Sequence, residues 1–303
     1  MRRTRSLTLA AGLAVGTLVL AGCGSDSDAG SGDEVEVEAS VAEAPEFPEG
    51  STMAEIADAG TMDIGTKFDQ PGFGLLNLEE VPEGFDVRIA EYIAGQMGVA
   101  PEDISWTEAP SAQREELIES GDVQMVVATY TINDERRERV TFAGPYYVAG
   151  QQILVAADND VITGPDDLAA NPDQVVCSVT GSTPAENIRQ YLASPDQLVE
   201  FSVYDDCISA LDNGQVQAVT TDNVILTGFV AESDDAYKLV GEQFTEEPYG
   251  IGIEKGDVEF CEFINESLQQ AADDGYYQQA WEETAGQFEG TEVPELPAAD
   301  ACE

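Results

Sequence analysis

Val123-Gln124-Met125-Val126-Val127-Ala128-Thr129, running straight into Tyr130-Thr131-Ile132-Asn133-Asp134-Glu135-Arg136, decides how the rest of the chain is read. The first half is apolar and rich in β-branched residues, the signature of a strand. The second half carries hydroxyls off the strand end into a turn that bears a guanidinium. An arginine so placed can bind a carboxylate through two parallel hydrogen bonds, with hydroxyls and backbone amides adding more. Arg137 and Arg139 follow and read as surface arginines.

Working outward, strand-like runs recur at 62–65, 151–157, 174–179, 217–221 and 250–253. Apolar stripes at helical spacing lie between them: Ile89, Ala90, Ile93, Ala94 and Met97; Ile188, Tyr191 and Leu192; Phe263, Ile264 and Leu268. This alternation predicts parallel α/β sheets with right-handed crossovers. Ligands of such sheets bind outside the carboxyl ends of the strands, so the loops there are the places to look for chemistry.

The 303 residues are 43% apolar, enough for one large or two ordinary domains with packed cores. Sixty Asp and Glu against 12 Lys and Arg give a net charge of −48, which repels phosphate backbones and anionic lipid. Nucleic-acid binding is excluded on that ground. The chain has no histidine, which rules out Ser-His-Asp and Cys-His nucleophiles and His-ligated zinc. No metal or cofactor is expected.

Arg2, Arg3 and Arg5 precede an apolar run at 7–20 that is short for a membrane span and suits an export signal. The run closes on Leu20-Ala21-Gly22-Cys23, which resembles the bacterial lipobox. That resemblance implies a signal peptide at 1–22 and a diacylated Cys23, with the mature chain extracytoplasmic and anchored to the cell membrane. Residues 24–50 hold nine acids and no base, a composition that cannot bury enough apolar area to offset chain entropy; 23–50 therefore reads as a flexible tether. Beyond it the bases are only Lys67, Arg88, Arg114, Arg136, Arg137, Arg139, Arg189, Lys238 and Lys255, so an anion site has few residues to draw on. The four remaining cysteines allow three connectivities. Local pairs, Cys177 with Cys207 and Cys261 with Cys302, are favoured, as structural rather than redox-active bridges.

Three further loops carry candidate chemistry. Gly65-Thr66-Lys67-Phe68-Asp69-Gln70-Pro71-Gly72 leaves a strand with a base. Ser111-Ala112-Gln113-Arg114 reads as a helix start. Gly181-Ser182-Thr183-Pro184-Ala185-Glu186 reads as another, with Thr183 as cap, Pro184 at the first position and Glu186 completing a capping box; a helix amino terminus favours an anion.

With Gly84-Phe85-Asp86-Val87 upstream and Tyr249-Gly250-Ile251-Gly252-Ile253 downstream, these segments resemble the polar amino acid solute-binding proteins of ABC transporters, family 3, over about residues 51–288. Among these the chain is most similar to the glutamate- and aspartate-binding lipoproteins. The resemblance implies a two-lobed periplasmic-binding-protein-like α/β fold with a hinge and an interlobe ligand cleft. Lobe one would be 51–149, lobe two 150–245, and 246–303 a return to lobe one with C-terminal helices. It also implies a role: a monomeric receptor, not an enzyme, that captures glutamate, and aspartate after it, for an ABC permease and ATPase.

Residue by residue, Arg136 would take the ligand α-carboxylate with Thr131 and Thr183, while Asp222, at the end of Gln217-Ala218-Val219-Thr220-Thr221-Asp222, would face the α-ammonium with Thr129 nearby. Ser111 and Arg114 resemble the side-chain carboxylate clamp of dicarboxylic amino acid binders, and Lys67 stands where binders of cationic amino acids carry an acid. Two departures from the pattern are Asn133, where Thr is frequent, and Arg88, where an acid is common. Competing readings are a glutamine or asparagine receptor, an amino acid sensor, and a catalytic relative such as a dehydratase, the last weakened by the missing histidines.

Overall fold

The computed structural model describes residues 39–303; the expected signal peptide, Cys23 and most of the expected tether lie outside them. Two five-stranded sheets organise the chain. In the first, Ile104–Glu108, Met62–Thr66, Met125–Val126, Glu247–Ile253 and Thr141–Ala149 lie side by side in that order. In the second the order is Leu198–Phe201, Val176–Val179, Ala218–Asp222, Gln151–Ala156 and Tyr237–Val240.

Neither sheet is wholly parallel, contrary to the expectation from alternation. Met62–Thr66 runs parallel to both neighbours, with Met62 opposite Ile104 and Ile64 opposite Met125. Glu247–Ile253 runs antiparallel to both of its own, with Gly252 opposite Val126. In the second sheet Gln151–Ala156 is antiparallel to Ala218–Asp222 and to Tyr237–Val240. The reason is the double crossing. The chain leaves lobe one along Thr141–Ala149, enters lobe two along Gln151–Ala156, and comes back into Glu247–Ile253 as an adjacent strand of opposite sense. The two crossings are tied where they meet, since the Gln151 amide donates to Thr245 Oγ1 at 3.0 Å.

Alternate side chains settle the cores. In lobe two Leu154 faces a cluster with Val179, Leu211 and Phe229, while Ile153 and Val155 face Leu168 and Ile188 on the other side, as the two-residue period of a strand covered on both faces requires. Lobe one packs helices Phe85–Gln96 and Val258–Asp273 on one face of its sheet through Ile89, Ile93, Ile264 and Leu268. Gly84 opens the first of these helices at φ 131°, and a Cβ there would meet Phe73 O at 2.3 Å, so only glycine fits. The helix starting at Thr183 ends at Ile188 and tightens into a short 3-10 turn, leaving Tyr191 and Leu192 off the expected stripe. Strands Ile104–Glu108, Leu198–Phe201 and Tyr237–Val240 escaped the sequence reading, each a sheet edge, mixed in polarity and only partly buried; so did the fourth edge, Thr141–Ala149, which is mostly buried but interrupted by Gly144 and Pro145.

Cys177–Cys207 joins a central strand of lobe two to helix Tyr204–Asp212, and Cys261–Cys302 holds the carboxyl end on helix Val258–Asp273. Both pairings are the local ones expected. Residues 39–50, the end of the expected tether, lie against lobe one instead of standing free. Phe47 meets Phe263 edge-on at 5.4 Å and the Ala42 amide donates to Gly95 O at 2.8 Å, because this end of the acidic segment carries an aromatic worth burying.

Candidate functional site

Between the lobes lies a narrow cavity. Lobe one contributes Gln70, Ser111, Arg114, Thr129, Thr131 and Arg136; lobe two contributes Ser182, Thr183, Pro184, Tyr204, Thr221, Asp222 and Ile225. Of the eight ligand residues expected from sequence, Ser111, Arg114, Thr129, Thr131, Arg136, Thr183 and Asp222 meet here. Lys67 does not line the cavity: its ammonium is fully buried and pairs with Asp69 at 2.9 Å. It still bears electrostatically on Arg114.

Arg136 is placed by its own short helix, Asp134–Arg137. Asn133 caps it, its Oδ1 accepting from the Arg136 amide at 2.8 Å, so the departure from the family's Thr preserves the capping function. The Arg136 guanidinium donates to Thr131 O in lobe one and to Gly181 O in lobe two. Its charge is nevertheless not discharged by a close carboxylate, the nearest paired acid being Glu115 at 3.7 Å. Burial, followed by the nearby Arg114 guanidinium, pulls its pKa down from the ordinary value.

Arg114 begins helix Arg114–Glu119 and is 2% exposed, so it is not a solvated surface residue. Its Nε donates to Ala109 O at 3.1 Å, which leaves the terminal nitrogens to the cavity. Ser111 is buried too and caps nothing, since Gln113 holds the N-cap position without a side-chain bond. Both guanidiniums lie over the buried Tyr130 ring, 5.1 Å away for Arg114 and 4.9 Å for Arg136, an arrangement in which the ring's negative face attracts the cations. The Tyr130 hydroxyl donates to Glu115 Oε1 at 2.7 Å. Sequence reading named Tyr130 only as part of the turn, and nothing local marks it as the support of two arginines.

In lobe two the helix start differs from the expectation by one residue. Ser182, not Thr183, is the cap, its Oγ accepting from the Ala185 amide at 3.0 Å; Pro184 is thus the second helical residue, and Glu186 pairs with Arg189 instead of closing a capping box. The shift releases the Thr183 hydroxyl, which sits 2.6 Å from Glu247 Oε2 and 3.2 Å from Thr131 Oγ1 of lobe one. Thr129 has the left-handed φ of 44°. Its amide donates to Asp86 Oδ2 at 2.7 Å and its hydroxyl lies 3.0 Å from Gln70 Oε1. Asp86, within the quoted Gly84-Phe85-Asp86-Val87 motif, is thereby the residue that fixes Thr129; its other oxygen accepts from Tyr146 at 2.6 Å.

Asp222 ends strand Ala218–Asp222 and is 3% exposed. Its Oδ2 accepts from the Tyr249 hydroxyl at 2.6 Å, while Oδ1, also buried, has no hydrogen-bond partner among the described residues. Burial first, and then the neighbouring Glu247 charge, push its pKa up to about 7, against the hydrogen bond from Tyr249. A buried acceptor without a donor is costly, and a cationic ligand group would relieve it. Gln70, Tyr204, Thr221 and Ile225 were not picked out from sequence; Tyr204 follows the missed strand Leu198–Phe201, which is why its loop was overlooked. Outside the cavity, Arg137 pairs with Asp300 at 2.6 Å, Arg139 with Glu119, and Arg88 with Glu283 at 3.0 Å; all are surface pairs. No group of three or more Cys, Asp or Glu among the described residues is arranged to hold a metal.

Two α/β lobes joined by two crossing strands, with opposed charges lining the space between them, define a bilobal solute-binding protein. The chain belongs to the bacterial extracellular solute-binding proteins, family 3, whose profile matches residues 62–286. It is 41% identical over 247 residues to the glutamate-binding protein GluB of Corynebacterium efficiens, covering 78% of this chain and 83% of that protein. It is 35% identical over 282 residues to the ABC transporter glutamine-binding protein GlnH of Bacillus subtilis, covering 93% and 96%. Among solved structures, an ancestral arginine-binding protein bound to glutamine matches with a TM-score of 0.68 at 32% identity, over 74% of this chain and 97% of that one. The chain is therefore an extracellular solute-binding protein, not an enzyme.

Proposed function

We propose that the protein captures glutamate, and aspartate after it, and delivers it to an ABC importer while anchored to the membrane through a lipidated Cys23. The observation that carries the ligand assignment is the charge of the cavity wall: two buried guanidiniums, Arg114 and Arg136, against one carboxyl, Asp222. A zwitterion uses Arg136 and Asp222 and leaves Arg114 over. A second carboxylate on the ligand balances it; a neutral amide does not.

In this reading Arg136 and Thr131 hold the α-carboxylate, with the Thr183 amide at the start of helix Thr183–Ile188 facing it from lobe two. Thr183 has a single hydroxyl proton, which Glu247 also attracts, so its hydroxyl is shared between Glu247 and the ligand. The α-ammonium donates to the free Asp222 Oδ1, with Thr129 beside it. Arg114 and Ser111 take the side-chain carboxylate, and Lys67 adds positive potential from behind Arg114. The 41% identity to a glutamate-binding protein supports the assignment.

A glutamine receptor is the second reading, favoured by the 35% identity to GlnH over 93% of the chain. Calorimetric titration with Glu, Asp, Gln, Asn and Arg separates the two; tightest binding of glutamine refutes the acidic assignment. For the anchor, Cys23→Ser should release the protein into the medium, and retention in the membrane fraction would refute lipidation.

A further inference from the structure

Asp69 stands beside the cavity without lining it. It is 4% exposed, on the short strand Asp69–Gln70 of lobe one. Its Oδ2 accepts from the backbone amide of Tyr204 at 2.6 Å. Tyr204 is the first residue of the lobe-two helix Tyr204–Asp212, whose own N-cap residue, Val203, has no side chain able to accept a hydrogen bond. An orphan amide at the start of one lobe's helix is thus satisfied by a carboxylate of the other lobe, which also places a negative charge at the positive end of that helix. The Asp69 Oδ1 pairs with Lys67 at 2.9 Å, so the buried carboxylate is compensated within lobe one. The lobes are in close contact here: a Cβ on Gly228 of lobe two would come within 2.7 Å of Pro71 O of lobe one.

We propose that Asp69, paired with Lys67, is a closure latch: a positioning residue that caps a lobe-two helix only when the lobes are together, and so strengthens the closed form for every amino acid ligand alike. The proposal rests on the cleft being an amino acid site that closes on its ligand. When the lobes part, water hydrates the Tyr204 amide and the carboxylate separately and the cap is lost. The latch forms after the ligand has entered, so it slows escape and leaves entry unchanged. Because it touches no ligand atom, it carries no selectivity; Arg114 does.

The test uses wild type, Asp69→Ala, which removes the acceptor, and Lys67→Met/Asp69→Ala, the double variant leaving no buried charge unpaired. Calorimetry with glutamate and glutamine gives affinities, release of labelled glutamate into excess unlabelled ligand gives dissociation rates, and solution scattering with and without ligand gives closure. Losing a helix cap corresponds to about a threefold to thirtyfold loss of affinity. Asp69→Ala should show it equally for glutamate and glutamine, wholly as faster dissociation, with the scattering change on ligand addition reduced; the double variant, which also removes the Lys67 charge from behind Arg114, should show it for glutamine. A changed glutamate-to-glutamine ratio in Asp69→Ala overturns the latch by making Asp69 a ligand contact; wild-type dissociation in both variants overturns it outright. A wild type that binds no amino acid refutes the receptor reading itself, and the latch with it.

Discussion

Lowering pH should weaken ligand binding through Asp222, and the size of the effect can be worked from its surroundings. In the ligand-free cleft, burial and Glu247 hold this carboxyl at about 7. With an α-ammonium on Oδ1 the ionised form is strongly preferred, so binding at lower pH must first expel the proton. Below about 7 the affinity therefore falls roughly tenfold per pH unit, and at pH 5.5 it is roughly thirtyfold below its plateau. The ligand's own side-chain carboxyl, with an ordinary value near 4.3, stays ionised over this range. Calorimetry between pH 5.5 and 7.5, in two buffers of different ionisation enthalpy, should report nearly one proton released per glutamate at pH 5.5 and less than half of one at pH 7.5. Asp222→Asn keeps an acceptor for Tyr249, lacks the proton, and should bind weakly with no pH slope. An affinity flat within threefold across that interval in the wild type, or an unchanged slope in Asp222→Asn, refutes the argument.

Arg114→Met should weaken glutamate by about a hundredfold and glutamine by less than tenfold, since charge-assisted hydrogen bonds contribute roughly 1.5–3 kcal/mol each and neutral ones about 1; equal losses in calorimetry remove Arg114 from side-chain recognition. Arg136→Met should weaken both ligands alike. Asp86 and Asp222 are both raised to about 7, so the folded chain holds protons that the unfolded chain has already lost above about pH 4. The stability they contribute is complete below that value and fades as pH rises through about 7; ligand-free Tm should therefore be higher at pH 5.5 than at pH 8, and the reverse order would contradict it. With a net charge of −48, added NaCl should raise Tm by screening self-repulsion, which a flat or falling Tm up to molar salt would disprove.

Short-range information in the chain was enough for the strands at 62–65 and 151–157, for the place of the strand expected at 123–129, which narrows to Met125–Val126, for the stripe from Ile89 to Met97, and for the site residues that sit at strand ends or helix starts. Burial on a sheet and the spacing of a helix are properties of consecutive residues, and a carboxylate-binding arginine in a turn announces itself by type. The local disulfide pairs were accessible for the same reason. What lay beyond reach depends on approach across distance. The antiparallel sense of Glu247–Ile253 follows from the chain's return to lobe one. The support of Arg114 and Arg136 by Tyr130, the capping of Tyr204 by Asp69, and the raised pKa of Asp222 all need groups far apart in sequence to be buried together. Even the one-residue shift of the cap from Thr183 to Ser182 belongs here, because both hydroxyls could cap the helix and Glu247, 64 residues from Thr183, is there to receive the other. Residue type and spacing set which side chains could serve an amino acid; desolvation between two lobes decided which of them carry charge toward the cavity.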